Sequence, residues 1–516
     1  MKAIHRIAGM LFRQVDIASL VFFRIAFGTV MLWEVFRYLD GSRIYRYWID
    51  PTYHFTYPFF DWVRPWPGDG MFLHFYVLGL LSALITVGLL YRLSTALFFL
   101  GFSYIFLLER AQYLNHFYLI GLMSFLMIFM PAHRAVSLDA MIRPEIRSAT
   151  TPFWALSLMA GQIGIVYFFG GIAKFNRDWL RGEPMRDWLS SRTDFPVIGS
   201  LFTEEWMVYL FSYGGLLVDL LAVPLLLWWR TRTVTFAFLV LFHLTNVRLF
   251  SIGIFPWFAI VATTLFFPPD WPRRLWSEAW QSPNRRGSIA WGGALAGSWL
   301  AAWFSEDLEL VPLAIGSVAG ALAVWAAVGS LPGLAPSHQE PIPVRTLHTA
   351  VTTGTSAEPR LTFLGRGQAV TLALFTLWFA VQVALPLRHY FIPGYVSWTE
   401  EGHNFSWHMK LRDKDRTSVT FSATDPSTGE TWEIDARETL TRRQYRKMAS
   451  RPHMIWQFAH HLAKTLEAEG RPGVEIRVRA MAALNSRRRQ LLIDPNVDLA
   501  HTPMRLGHNP WILPLN

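Results

Sequence analysis

Residues 161–179 read GQIGIVYFFGGIAKFNRDW, an apolar run that ends in one lysine, Lys174, followed at once by polar residues. With the apolar residues from 153 onward the segment is long enough to cross a bilayer as a helix, so Lys174 falls where hydrocarbon gives way to water. A lysine at that depth either snorkels outward or sits in a cavity, and in a cavity it can be kept neutral and used as a base. The small residues of GGIAK let a neighbouring helix approach closely, which argues for a buried face.

The rest of the chain has the composition this reading requires. Of 516 residues, 52% are hydrophobic and only 16% charged, the balance of a polytopic membrane protein. Apolar segments occur at about 17–38, 71–91, 94–108, 115–131, 153–174, 206–229, 233–249, 252–268, 288–304, 309–329 and 368–388. The first continues too far for the core of a cleavable signal peptide and reads as a span. Basic residues gather in alternate loops: Arg134, Arg143 and Arg147; Arg230 and Arg232; Arg273, Arg274, Arg285 and Arg286; Arg345, Arg360 and Arg366. By the positive-inside rule these loops face the cytoplasm, and an odd number of spans then leaves everything after Arg388 outside. The net charge of +10 belongs to these loops and gives no reason to invoke nucleic acid. No Walker or dinucleotide-binding glycine motif is present. The absence of cysteine excludes disulfides, thiolate nucleophiles and cysteine-held metal sites.

The expected architecture is a polytopic all-α membrane protein, with about 9–11 transmembrane helices, and a small C-terminal α+β extramembrane domain. Its parts are a transmembrane core over 1–287, an extra helix pair over 288–330, a cytoplasmic linker over 331–366, a last transmembrane helix over 367–388 and an outer domain over 389–516. In that domain, 417–423 and 431–436 flank a turn at 425–429 as a hairpin, and 441–468 has helical periodicity. Residues 474–480 and 489–493 read as further strands on either side of Asn485.

Polar residues in or beside spans are candidates for function by default. Asn115 and His116 open the fourth span on its outer side, Lys174 closes the fifth, and His243, Asn246 and Arg248 close the seventh. All three clusters thus lie at one leaflet, the one facing the C-terminal domain, where they can line one cavity. Each also has a plainer reading: Lys174 as a snorkelling anchor, Asn115 as a helix cap, His243 and Asn246 as an interhelical hydrogen-bond network. No metal site is expected, because His116 and His243 lack a third ligand at suitable spacing. Glu34 and Asp219, carboxylates in mid-span, are expected to pair with arginines such as Arg24 or Arg37. Residues 404–409, NFSWHM, read as an interfacial aromatic belt or a binding segment, and the arginines at 487–489 as a solvated face or a dock for an acidic peptide.

Several of these stretches carry a resemblance. LNHFYLIG at 114–121, GQIGIVYFFGGIAKFNRDW at 161–179, FHLTNVRLFSIGIF at 242–255, NFSWHM at 404–409 and LLIDPNVD at 491–498 resemble segments of the vitamin K-dependent gamma-glutamyl carboxylases. These enzymes fall within the broader horizontally transferred transmembrane (HTTM) family, and the likeness runs through most of the chain. The resemblance implies a lyase-type enzyme with epoxidase activity. Such an enzyme oxygenates vitamin K hydroquinone (phylloquinol or menaquinol) to the 2,3-epoxide, removes a γ-proton from a peptide glutamate and adds CO2, with no metal. It implies Lys174 as catalytic base and Asn115 and His116 beside the naphthoquinone. Tyr167, His243, Asn246 and Met409 match quinone-site positions, and Phe405, Ser406, Trp407 and Met409 fall in the glutamate-binding segment.

The implied partners are a glutamate-bearing peptide or protein, membrane lipid and a vitamin K epoxide reductase that recycles the quinone. The helix pair over 288–330 and the lack of cysteine set the chain apart from the animal enzyme, which also continues beyond the position matching Asn516 and so leaves propeptide docking open. Two other readings stand beside this one: a quinone-epoxidising homologue without carboxylation, and a non-catalytic quinone- or lipid-binding membrane protein. The expected setting is a bacterial inner membrane with the C-terminal domain in the periplasm, equivalent to the endoplasmic reticulum lumen in animals.

Overall fold

Long apolar runs satisfy their own backbone polar groups in lipid only as helices, and the chain obeys that constraint. A computed structural model of the chain describes residues 2–250, 252–278, 285–305, 309–329, 365–414 and 416–516. The linker expected over 331–366 lies outside these described residues, apart from its last two positions. Among the described residues, eight helices are long and apolar enough to cross a membrane, and three shorter apolar helices accompany them. In chain order they are α1 (Ala18–Asp40), α2 (Gly70–Val87), α3 (Tyr91–Leu108), α4 (Asn115–Phe129), α5 (Phe153–Ala173), α6 (Glu205–Leu227), α7 (Arg232–Phe250), α8 (Phe255–Thr263), α9 (Arg285–Phe304), α10 (Leu310–Gly329) and α11 (Arg366–Leu387). Each coincides with an apolar segment read from the sequence. The protein is a multi-pass membrane protein with a small polar domain that contains sheet.

The chain forms two compact units, one made of residues 1–26, 131–161 and 224–380, the other of 27–130, 162–223 and 381–516. In the first, α9 and α10 pack along each other and α7 packs on α8 and α10. Arg24, fully buried in an apolar helix, donates to the main-chain carbonyls of Ala132 (2.8 Å) and Val136 (2.5 Å), which satisfies a charge that lipid could not. Buried His243 lies edge-on to Phe255 with ring centres 5.9 Å apart, and the Arg248 guanidinium stands 5.5 Å from the Trp303 ring centre.

In the second unit, α3 packs between α2 and α4. The polar domain adds helices α12 (Arg442–Ala449) and α13 (Pro452–Ala468) and strands β1 (Ser418–Thr424), β2 (Thr431–Ile434), β3 (Glu475–Ala482) and β4 (Gln490–Leu491). The sheet is antiparallel in the order β2-β1-β3-β4, and Phe421 of β1 lies opposite both Ile434 and Val478. Along β3, buried Ile476, Val478, Ala480 and Ala482 alternate with the more exposed Arg477 and Arg479, as a half-buried strand must. The buried face belongs to a core with Met454, Ile455, Phe458 and Leu462 of α13 and with Phe55 and Ala111 from loops between spans.

The single helical pattern read over 441–468 is in fact two helices. Thr441 and Gln444 form a reciprocal capping box that starts α12, and Pro452, which has no N–H to give, begins α13 after the break at Ser450 and Arg451. The strand read over 489–493 shortens to two residues, because Ile493 turns away to bridge Ile512.

Candidate active site

The end of α5 is shaped by its own glycines. A Cβ on Gly171 would sit 2.6 Å from Leu220 Cδ2 and 3.1 Å from the Leu220 main-chain N, and one on Gly170 would meet the Met409 methyl at 2.9 Å and Asp219 Oδ2 at 3.1 Å. Only glycines let α5 and α6 approach this closely. The approach brings Lys174 Nζ to 2.5 Å from Asp219 Oδ2, with a second hydrogen bond to the Gly170 carbonyl at 3.1 Å. Both side chains are buried, at 8% and 9% exposure, and the Trp179 ring centre lies 5.4 Å from the same nitrogen. The snorkelling anchor is therefore excluded by burial. Asp219 does not pair with an arginine as expected; its partner is Lys174. Glu34 does meet Arg37, at 2.7 Å.

The polar residues after Lys174 hold this corner in place. Asn176 caps the short helix Arg177–Leu180, its Oδ1 accepting from the N–H groups of Asp178 and Trp179. Trp179 Nε1 donates to the Ser212 carbonyl (2.8 Å) and Ser212 Oγ donates back to the Trp179 carbonyl (2.6 Å). Buried Asp178 accepts from both terminal nitrogens of Arg487 (2.5 and 2.7 Å) and from Asn485 Nδ2 (2.7 Å). Arg487 is thus committed to anchoring the outer domain on the α5–α6 loop, and is neither a solvated face nor a peptide dock.

The NFSWHM segment crosses the same corner. Phe405 and Trp407 both have left-handed backbone (φ 63° and 58°), unusual for bulky residues. The conformation is held by hydrogen bonds: Phe405 N–H donates to Tyr113 Oη at 2.7 Å, Arg388 donates to the Asn404 carbonyl and to Ser406 Oγ, and Ser406 Oγ donates to the Gly402 carbonyl. Trp407 is buried and stacked on Tyr118 with ring centres 5.0 Å apart, and its Nε1 has no partner among the described residues. An aromatic belt would leave that indole at the lipid surface, so burial excludes the belt reading for Trp407.

Asn115 is the first residue of α4, while Leu114 holds the cap position without a side-chain bond, so the capping reading fails. Asn115 Nδ2 instead donates to the His408 carbonyl (3.1 Å) and its Oδ1 accepts from Tyr113 Oη (2.9 Å). Residues 408 and 409 therefore run from Asn115 to the Gly170–Asp219 contact, and bring Asn115, Met409 and Lys174 to one place. His116 follows Asn115 and packs edge-on to Phe117, ring centres 5.1 Å apart. Tyr167 is buried two turns before Lys174 on the same face of α5. His243 and Asn246 belong to the other compact unit, on α7.

Fold and site together define a class: a polytopic membrane protein in which a buried lysine–carboxylate pair lies at the end of a span, against a segment of its polar domain. Residues 12–271 match the HTTM domain, and residues 367–516 match the vitamin K-dependent gamma-carboxylase lumenal domain. The chain belongs to this gamma-carboxylase family, whose members use vitamin K hydroquinone, O2 and CO2 and act on glutamate in proteins. No solved structure matches the chain.

Proposed function

We propose that the protein is a vitamin K-dependent gamma-glutamyl carboxylase that couples epoxidation of the hydroquinone to CO2 addition at the γ-carbon of a peptide glutamate. The observation that carries this reading is the buried Lys174–Asp219 pair beside the NFSWHM segment. As a unit the pair is neutral whether the shared proton rests on nitrogen or on oxygen, and in either form it can accept one more. A protonated lysine alone could not serve as a base, so in this reading the first proton passes to the Lys174–Asp219 pair as a unit. Asn115 retains one N–H and one lone pair beyond its bonds to His408 and Tyr113, which suits it to a phenolic hydroxyl. With His116, Tyr167 and Met409 it would hold the naphthoquinol ring.

The bound quinol supplies, with O2, a base strong enough to remove the γ-proton. The chain's own part is to take the first proton at the pair, to exclude water by packing Trp179 and Met409 against it, and to orient the glutamate. The unpartnered Trp407 Nε1 suits a carboxylate oxygen, with Phe405 and Ser406 shaping the same segment. The arginine-rich loops support a bacterial inner membrane with a periplasmic C-terminal domain, where a vitamin K epoxide reductase would recycle the product.

The test is incubation of the purified protein with reduced vitamin K, O2, labelled CO2 and a glutamyl peptide. Label in the peptide together with epoxide is the expected result. Epoxide without label would replace this reading with a quinone-epoxidising enzyme, and neither product would leave a quinone- or lipid-binding protein.

A further inference from the structure

A cavity of about 240 Å³ opens beside the end of α5, walled by Ala173, Phe175 and Asn176 on one side and by His389, Tyr395 and His408 on the other. At that size it falls short of the clefts of about 300–1,000 Å³ that take drug-sized ligands, which leaves room for a short stretch of peptide and too little for a prenylated ring system. Two of its walls, Ala173 and Phe175, flank Lys174 in the chain, and a third, His408, precedes Met409, whose methyl lies at the Gly170–Asp219 contact. A chain lying in it would run close to the Lys174–Asp219 pair.

One residue there is held ready for a ligand. His408 is 5% exposed, and neither of its ring nitrogens has a hydrogen-bond partner among the described residues. The ring is fixed in place, for its main-chain carbonyl is taken by Asn115 and its ring centre lies 4.7 Å from that of His389 and 5.1 Å from that of His403. Burial, with His403, His389 and Arg412 close by, pushes its pKa well below the usual histidine range and keeps the ring neutral. A neutral imidazole offers one N–H and one lone pair, a poor match for a carboxylate, which accepts only, and a good match for an amide, which has one of each.

We propose that this cavity seats the main chain of the substrate peptide on one flank of the target glutamate, and that His408 is a positioning residue exchanging hydrogen bonds with a peptide group there. This rests on the carboxylase reading and deepens it. It makes recognition local, by the backbone next to the glutamate.

The test measures binding of a short fluorescent glutamyl peptide to the full-length protein in nanodiscs. It is compared with analogues whose amide on either side of the glutamate is N-methylated or replaced by an ester. Wild type should bind one of these analogues roughly three- to tenfold more weakly than the parent, the range expected for one hydrogen bond. His408→Phe should bind parent and analogue alike, and His408→Asn, which keeps a donor and an acceptor, should restore the discrimination. If His408→Phe does not fold, His408→Leu, which likewise lacks a donor and an acceptor, takes its place and should bind parent and analogue alike. Wild type ignoring every analogue, or His408→Phe still discriminating, would overturn the proposal while carboxylation by the wild type left the enzyme reading intact. No binding of any glutamyl peptide would remove both.

Discussion

Replacing Asp219 by Asn removes one member of a pair whose side chains are 9% and 8% exposed and whose atoms stand 2.5 Å apart. Removing one partner of a buried pair destabilises by about 3–5 kcal/mol, whereas exchanging both for apolar residues of similar volume is often nearly neutral. The survivor can escape only by changing its protonation, which costs free energy of the same order. Asp219→Asn and Lys174→Met should therefore each lower the unfolding free energy by about 3–5 kcal/mol. The double variant Lys174→Met with Asp219→Asn, which leaves no buried charge, should lose far less than the sum. Denaturant unfolding of the four proteins in one detergent, followed by tryptophan fluorescence, gives the coupling directly. Losses that simply add would mean the two side chains do not meet, and a neutral proton-accepting pair could not be sustained.

Trp407→Ala removes the ring stacked on Tyr118 and its unpaired N–H, and should weaken carboxylation of a glutamyl peptide more than it slows peptide-free epoxide formation; equal losses in both assays would count against a glutamate-binding role. Gly170→Ala drives a methyl against Met409 and Asp219 Oδ2 and should cut carboxylation about 100-fold, the scale of a small misplacement at a reacting centre; full activity would show that the corner is not tightly set. Burial in the outer domain pushes the His453 pKa down to about 3. The unfolded chain, with a value near 6.5, then binds more protons across that interval. Stability from this residue is complete above about pH 6.5 and declines as pH falls toward 3, so His453→Leu should flatten the acid limb of an unfolding series, and an unchanged slope would reject the assignment.

The spans were legible because apolar length is a direct physical signal, and so was the hairpin. Partners across helices were not. Asp219 stood out as a carboxylate in mid-span, but nothing in a linear sequence tells which cation will face it, and its partner proved to be Lys174, 45 residues away, in place of an arginine. The two glycines before Lys174 did signal close helix approach, and the contact they permit is the one that brings Asp219 in. Arg487 misled for the opposite reason: a run of arginines in a polar domain is usually solvated, and its commitment to Asp178 depends on a fold contact more than 300 residues apart. Asn115 read equally as cap or site because caps are defined by backbone angles, which only the structure supplies.

The account turns on Lys174 as part of the proton acceptor, and epoxide formation from reduced vitamin K and O2 by Lys174→Ala, without peptide, tests it most directly. The variant should remain folded in the membrane, as judged by its tryptophan fluorescence, and should form epoxide at least about 1,000-fold more slowly than wild type, within the range expected when a general base is removed. Epoxide formation at the wild-type rate would contradict the account.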